Sequence, residues 1–84
     1  MDKARAVLTV LECDNGKPGY EIIKALENQR HIKVGLPTLY DLLRELEEGG
    51  FIRWETRPEH GRQRKYFFLT EAGRIKLNFP LPKS

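Results

Sequence analysis

Phe51-Ile52-Arg53-Trp54-Glu55-Thr56 and Arg64-Lys65-Tyr66-Phe67-Phe68-Leu69 flank the polar stretch Arg57-Pro58-Glu59-His60-Gly61-Arg62-Gln63. Both outer runs are rich in aromatic residues, and the first partly alternates polar with apolar, as a half-buried strand does. Pro58 and Gly61 punctuate the middle stretch, which reads as a loop over 57–63. The two runs are therefore expected to pair as an antiparallel hairpin with a basic tip.

Upstream of this hairpin the apolar period becomes helical. Ala4, Val7, Leu8 and Leu11 follow the i, i+3, i+4, i+7 spacing of a first amphipathic helix. Asp14-Asn15-Gly16-Lys17-Pro18 ends it, because Asn-Gly turns readily and proline cannot continue a helix. A second helix is predicted from Gly19 to about Gln29, with Ile22, Ile23 and Leu26 facing inward. Arg30 to Leu36 forms a connector, in which the alternation His31-Ile32-Lys33-Val34 suggests one additional short strand. A third helix begins near Pro37, a residue suited to a first turn. Leu39, Leu42, Leu43 and Leu46 are its core stripe, and Gly49-Gly50 stops it. Downstream, Thr70 is a good N-cap for a last helix from Glu71 to about Asn78, with Ala72 and Ile75 expected inside. Phe79-Pro80-Leu81-Pro82 closes that segment. The order is helix, helix, helix, strand, strand, helix: a mainly α fold with a small β-hairpin, the plan of a winged helix-turn-helix. The 84 residues, 1–84, are read as one such domain.

Several chemistries find no residues to support them. Cys13 is the single cysteine, so an internal disulfide is impossible. His31 and His60 sit in unrelated segments without ligand spacing, and neither metal nor cofactor is expected. Ser84 is the only serine, no Cys–His pair has plausible spacing, and no glycine-rich phosphate loop occurs, so no enzyme active site is expected. Glu45, Glu47 and Glu48, at a helix end, read as solvated surface. Runs such as Tyr66-Phe67-Phe68-Leu69 are far too short to cross a bilayer. Met1 to Arg5 carries no apolar signal core, and a cytoplasmic location is expected.

Charge is more informative in its distribution than in its sum. The formal net charge is only +3. Arg57, Arg62, Arg64 and Lys65 crowd around the hairpin tip against one acid, Glu59, while Glu45, Glu47 and Glu48 cluster elsewhere. In a helix-turn-helix the second helix of the unit enters the major groove. Here that is the third helix, whose outward face carries Thr38, Asp41, Arg44, Glu45 and Glu48. Arginine can fork onto guanine, and aspartate can accept from cytosine. The expected partner is double-stranded DNA, read by Thr38, Asp41 and Arg44 and gripped by the wing residues Arg57, His60, Arg62, Arg64 and Lys65. Arg57, Arg62, Arg64 and Lys65 lie in or beside a loop whose backbone is expected to make few core contacts, so that replacing them should barely disturb folding. The bland counterpart is a solvated helix face on which Arg44 and Glu48 form an i, i+4 pair. A competing function is a protein-interaction module, with Trp54 and Phe68 facing each other across the outer side of the hairpin.

Gly19-Tyr20-Glu21-Ile22-Ile23-Lys24, Thr38-Leu39-Tyr40, Leu43, Leu46-Glu47 and Gly50-Phe51-Ile52 resemble the PadR family of transcriptional regulators. The stretch from Gly61 to Arg74 resembles that family's wing strand and final turn nearly position for position. The resemblance runs from Leu8 to Leu77. It implies a winged-helix repressor, usually dimeric, with Thr38, Tyr40 and the wing arginines near the DNA backbone. Gly35-Leu36-Pro37 stands where the family often has a Ser-Pro-Gly-like entry to the recognition helix, and Phe68 stands at a commonly polar position. Relatives usually continue into long C-terminal helices used for dimerisation and effector sensing, whereas this sequence stops at Ser84. A homodimer is accordingly expected through the first and last helices, with Val10, Leu77 and Phe79 as outward apolar candidates. The sequence names no small-molecule effector.

Overall fold

The computed structural model describes residues 3–12 and 15–78. Along the chain run α1 (Lys3–Val10), β1 (Lys17–Pro18), α2 (Gly19–Arg30), α3 (Leu36–Glu48), β2 (Ile52–Glu59), β3 (Arg62–Leu69) and α4 (Glu71–Asn78). The helices meet over Leu8, Leu11, Ile22, Leu26, Leu39 and Leu43, all buried, and Ile52, Phe67 and Leu69 close this core from the sheet side. Together these elements form a winged helix. Val10, expected outside, is only 5% exposed and belongs to the core. Leu11, which follows the helix, is fully buried as well. Cys13 and Phe79 lie outside the described residues.

The connector after α2 forms no strand. His31 ends that helix in the left-handed region, at φ 57°, and the His31 and Ile32 N–H groups both point back to the Leu26 carbonyl. A residue held in that geometry cannot begin an extended segment. The third strand is instead the two-residue β1, antiparallel to β3 with Lys17 opposite Phe67 and Pro18 opposite Tyr66. The sheet order is β1-β3-β2. Pro37 lies in the first turn of α3, and Leu39, Leu43 and Leu46 are buried with Leu42 partly so. The C-terminus of α3 is closed by two backbone bonds, Phe51 N–H to Leu46 and Gly50 N–H to Glu47, each 2.9 Å. This is the Schellman pattern.

The hairpin is longer and its turn tighter than the sequence suggested. Pairing continues from Ile52–Leu69 to Glu59–Arg62, leaving only His60 and Gly61 unpaired. Both have positive φ, 52° and 77°, which defines a type I′ turn whose twist matches that of the strands. The expected 57–63 loop is therefore mostly strand. Pro58 is accommodated because β2 is the edge of the sheet, where a missing N–H costs least.

Thr70 caps α4 as expected. Its hydroxyl accepts from Gly73 N–H at 3.1 Å and donates to the Gly50 carbonyl at 2.7 Å. The inward face differs from expectation, however: Ala72 is exposed and Ile75 is 51% exposed. Gly73, Lys76 and Leu77 face the body instead. The reason is the close approach of Gly73 to the Phe51 carbonyl, which leaves no room for a Cβ and turns the helix about its axis. Leu77, expected outside, is partly buried against the core. Arg5 fastens α1 to this helix, donating to the Lys76 and Leu77 carbonyls at 3.3 and 2.8 Å, where a cation also suits the helix dipole.

Candidate nucleic-acid interface

Residues directly opposite in an antiparallel pair share a face of the sheet. Ile52, Trp54 and Thr56 therefore lie with Leu69, Phe67 and Lys65, on the face turned to α3. Arg53, Glu55, Arg57 and Glu59 lie with Phe68, Tyr66, Arg64 and Arg62 on the other. The register places Trp54 opposite Phe67, so the Trp54–Phe68 patch of the competing protein-interaction reading does not form. Phe68 is 7% exposed and is covered on the outer face by Gly16 and by the guanidinium of Arg53, 4.3 Å from its ring.

On α3, Thr38, Tyr40, Asp41, Arg44, Glu45 and Glu48 are all exposed. Arg44 pairs with Asp41 at 3.5 Å, one turn back, rather than with Glu48. Both side chains are about two-thirds exposed, and such pairs contribute little to stability. Arg44 can thus leave Asp41 for a stronger anion at small cost. Tyr40 leans across to the wing, edge-on to Phe67 with centroids 6.3 Å apart. Its hydroxyl lies so close to Gly19 that a Cβ there would come within 2.7 Å.

Between α3 and the wing runs a cleft of about 160 Å³ lined by Tyr40, Leu43, Arg44, Glu47, Lys65 and Phe67. Trp54 braces its end, its indole N–H donating to Glu47 at 2.6 Å while the Lys65 ammonium sits 4.1 Å above the ring. Neither tie was visible in the sequence, because both depend on which way the strand faces α3.

The outer face of the wing is a layer of arginines interleaved with aromatics and acids. Arg57 pairs with Glu55 at 3.1 Å, donates to the Asn15 carbonyl at 3.3 Å and lies over Tyr66 and Phe68. Arg64 lies 3.5 Å from the Glu59 carboxylate and over the Tyr20 ring. Both of these wing arginines are thus packed against neighbouring side chains. Among the described residues Arg62 and Lys65 form no ion pair. His60 stands in the turn, exposed.

The acids of this face are tuned by their neighbours. Hydrogen bonds from Arg57, and then Arg53, hold the Glu55 carboxyl below its ordinary value. Tyr66, and then Tyr20, do the same for Glu59. The Tyr66 phenol is raised in turn by its bond to Glu59. Carboxyls lowered in the folded state add stability that is complete above their unfolded value, 4.5, and lost as pH falls through the folded one. Melting temperature should accordingly begin to fall as pH drops below about 4.5, and go on falling as the two lowered carboxyls take up protons. A Glu55→Gln, Glu59→Gln double variant should show a flatter fall. Identical acid profiles would clear these two carboxylates of any part in it.

The PadR-like transcriptional regulator family model matches residues 7–78. This chain belongs to that family. A PadR family transcription regulator from Clostridium difficile is 26% identical, with a TM-score of 0.80 over 90% of this chain and 79% of that one. A PadR family regulator from Eggerthella lenta is 30% identical, with a TM-score of 0.74 over 90% and 68%. Bacillus subtilis PadR, solved in complex with operator DNA, is 22% identical with a TM-score of 0.80. The match covers 98% of this chain and 51% of the Bacillus protein, so the chain spans about half of that relative. Comparison with curated proteins gives no match. In this PadR-like chain the entry to α3 is capped by the extended backbone of Gly35, without a side-chain bond, and the following Leu36 is 51% exposed. Among the described residues no cluster of three or more His, Cys, Asp or Glu could hold a metal ion, and no helix is long and apolar enough to cross a membrane.

Proposed function

We propose that this PadR-like chain is a sequence-specific double-stranded DNA-binding repressor acting in the cytoplasm. In this reading α3 enters the major groove and the β2–β3 hairpin lies along the flanking backbone. The observation that carries it is the cleft between α3 and the wing, where Arg44 and Lys65 line one continuous surface beside the exposed Thr38, Tyr40 and Asp41. The operator complex of the Bacillus relative, which has the same fold, supports it. Arg44 reads a guanine, Asp41 accepts from a neighbouring cytosine, and Thr38 and Tyr40 hold phosphates. On the wing, Arg62 and Lys65 are the contacting cations with His60 at the tip, while Arg57 and Arg64 support the hairpin from behind. Occupying a promoter requires no catalysis and no cofactor. One winged helix covers few base pairs, so useful specificity calls for a homodimer on a two-fold site. The exposed Ala72 and Ile75 of α4 are the apolar residues that helix offers to such an interface.

Selection from random duplexes, with the molecular mass measured free and bound, tests this directly. Enrichment of a palindrome bound by two chains is expected, and no duplex binding at low salt would overturn the reading. On the selected site Arg44→Ala should cost about 1–3 kcal/mol and relax the preference at one base pair. An equal loss on selected and random duplexes would assign Arg44 to phosphate instead.

A further inference from the structure

Glu59 is an acid at the tip of an element proposed to meet a polyanion, and charge alone gives no reason for it to be there. Its surroundings do. Beyond the Glu55–Tyr66 pair β1 no longer flanks the hairpin, and the rungs from Thr56–Lys65 to Glu59–Arg62 have two strands only. A two-stranded ribbon is marginal by itself and free to swing. Among the described residues, two hydrogen bonds tie this distal part to elements outside the hairpin. Arg57 reaches the Asn15 carbonyl, and Tyr20, in the first turn of α2, donates to Glu59 at 3.3 Å. The other Glu59 oxygen accepts from Tyr66 at 2.8 Å and lies 3.5 Å from Arg64 Nε, which in turn stacks on the Tyr20 ring. The Glu59 side chain is only 21% exposed.

We propose that Glu59 and Tyr20 are positioning residues: they fix the angle of the distal hairpin to the helix-turn-helix, so that the turn and Arg62 are presented to the nucleic acid already ordered. This rests on the DNA-binding reading and deepens it. A hairpin held in place loses less freedom on binding than one that swings. The carboxylate thus serves as a tether despite its charge, and the sign of its removal separates the two effects. Deleting an acid near phosphates strengthens binding where charge alone acts. Deleting a tether weakens it.

The experiment is a titration of wild type, Tyr20→Phe and Glu59→Gln on one selected duplex at fixed salt, with amide hydrogen exchange at residues 60–62 in the free proteins. Both variants should bind about threefold to tenfold more weakly, and their turn amides should exchange faster. Tyr20→Phe should keep the wild-type salt slope, since it leaves every phosphate-neutralising cation in place, and should melt within a few degrees of wild type. Binding by either variant as tight as that of wild type, or tighter, would overturn the proposal. So would unchanged exchange at the turn, or a large drop in melting temperature, which would make the cluster merely structural. Wild type failing to bind any duplex would overturn the DNA-binding reading, with the exchange data still deciding whether the tether exists.

Discussion

Gly73→Ala should lower the stability of the protein by about 3 kcal/mol, a large share of what a small domain has. The added methyl would strike the Phe51 carbonyl and come within 2.7 Å of Leu69 Cδ1. The leucine can turn away, but the carbonyl cannot, because it accepts the Thr70 N–H at 3.1 Å while the Thr70 hydroxyl grips the adjacent Gly50 carbonyl. Relieving the clash means moving α4 outward, which strips Leu77 from the core and pulls the last carbonyls away from Arg5. Chemical denaturation would measure the loss. Ile75→Ala is the matched control: at 51% exposure it should cost well under about 1 kcal/mol. A mild Gly73→Ala beside a costly Ile75→Ala would restore the helix orientation that the sequence suggested.

Arg62→Ala combined with Lys65→Ala should reduce the slope of log affinity against log salt by about 1.8, roughly 0.9 for each phosphate no longer neutralised. Affinity for all duplexes should fall about thirtyfold near physiological salt, with the melting temperature nearly unchanged. Arg57→Ala and Arg64→Ala should behave differently. Their guanidinium groups are engaged with Glu55, Glu59 and the aromatics of the outer face, so removing them should loosen the hairpin as well as weaken binding. A salt titration paired with a melting curve for each variant separates the two behaviours. If the Arg62, Lys65 double variant kept both slope and affinity, the wing would not touch DNA.

The helical half of the fold was legible because its signals are redundant. In α3 a proline start, a leucine stripe and a glycine stop all agree, and the Schellman bonds at Gly50 are what that stop implies. The sheet was less legible for local reasons. β1 is two residues long and includes a proline, too little to show any alternation. The turn uses His60 where asparagine or glycine would have announced a type I′ hairpin. Tyr66-Phe67-Phe68-Leu69 is apolar throughout, which hides the register, and register decides which aromatic meets Trp54. The same ambiguity concealed the partners of the wing arginines. Counting charges along 57–65 finds one acid, whereas the pleat places Glu55 and Glu59 on one face with Arg53, Arg57 and Arg64. On α4 the apolar residues Ala72 and Ile75 outweighed a glycine whose role is to come close.

The edge position of β2 has a consequence for how the protein behaves at high concentration. A hairpin eight residues long on each side, whose rungs beyond Glu55–Tyr66 have two strands only, offers its outer strand as a template for pairing with a strand of another molecule. Aggregation by that route requires a flat, uncharged edge with its N–H groups in unbroken order. β2 supplies a charge at every second position, at Arg53, Glu55, Arg57 and Glu59, and a proline near its far end that interrupts the row of donors. Pro58→Thr would leave the hairpin paired with β3 while restoring the missing donor, making self-association of the wing the hazard that the native residue guards against.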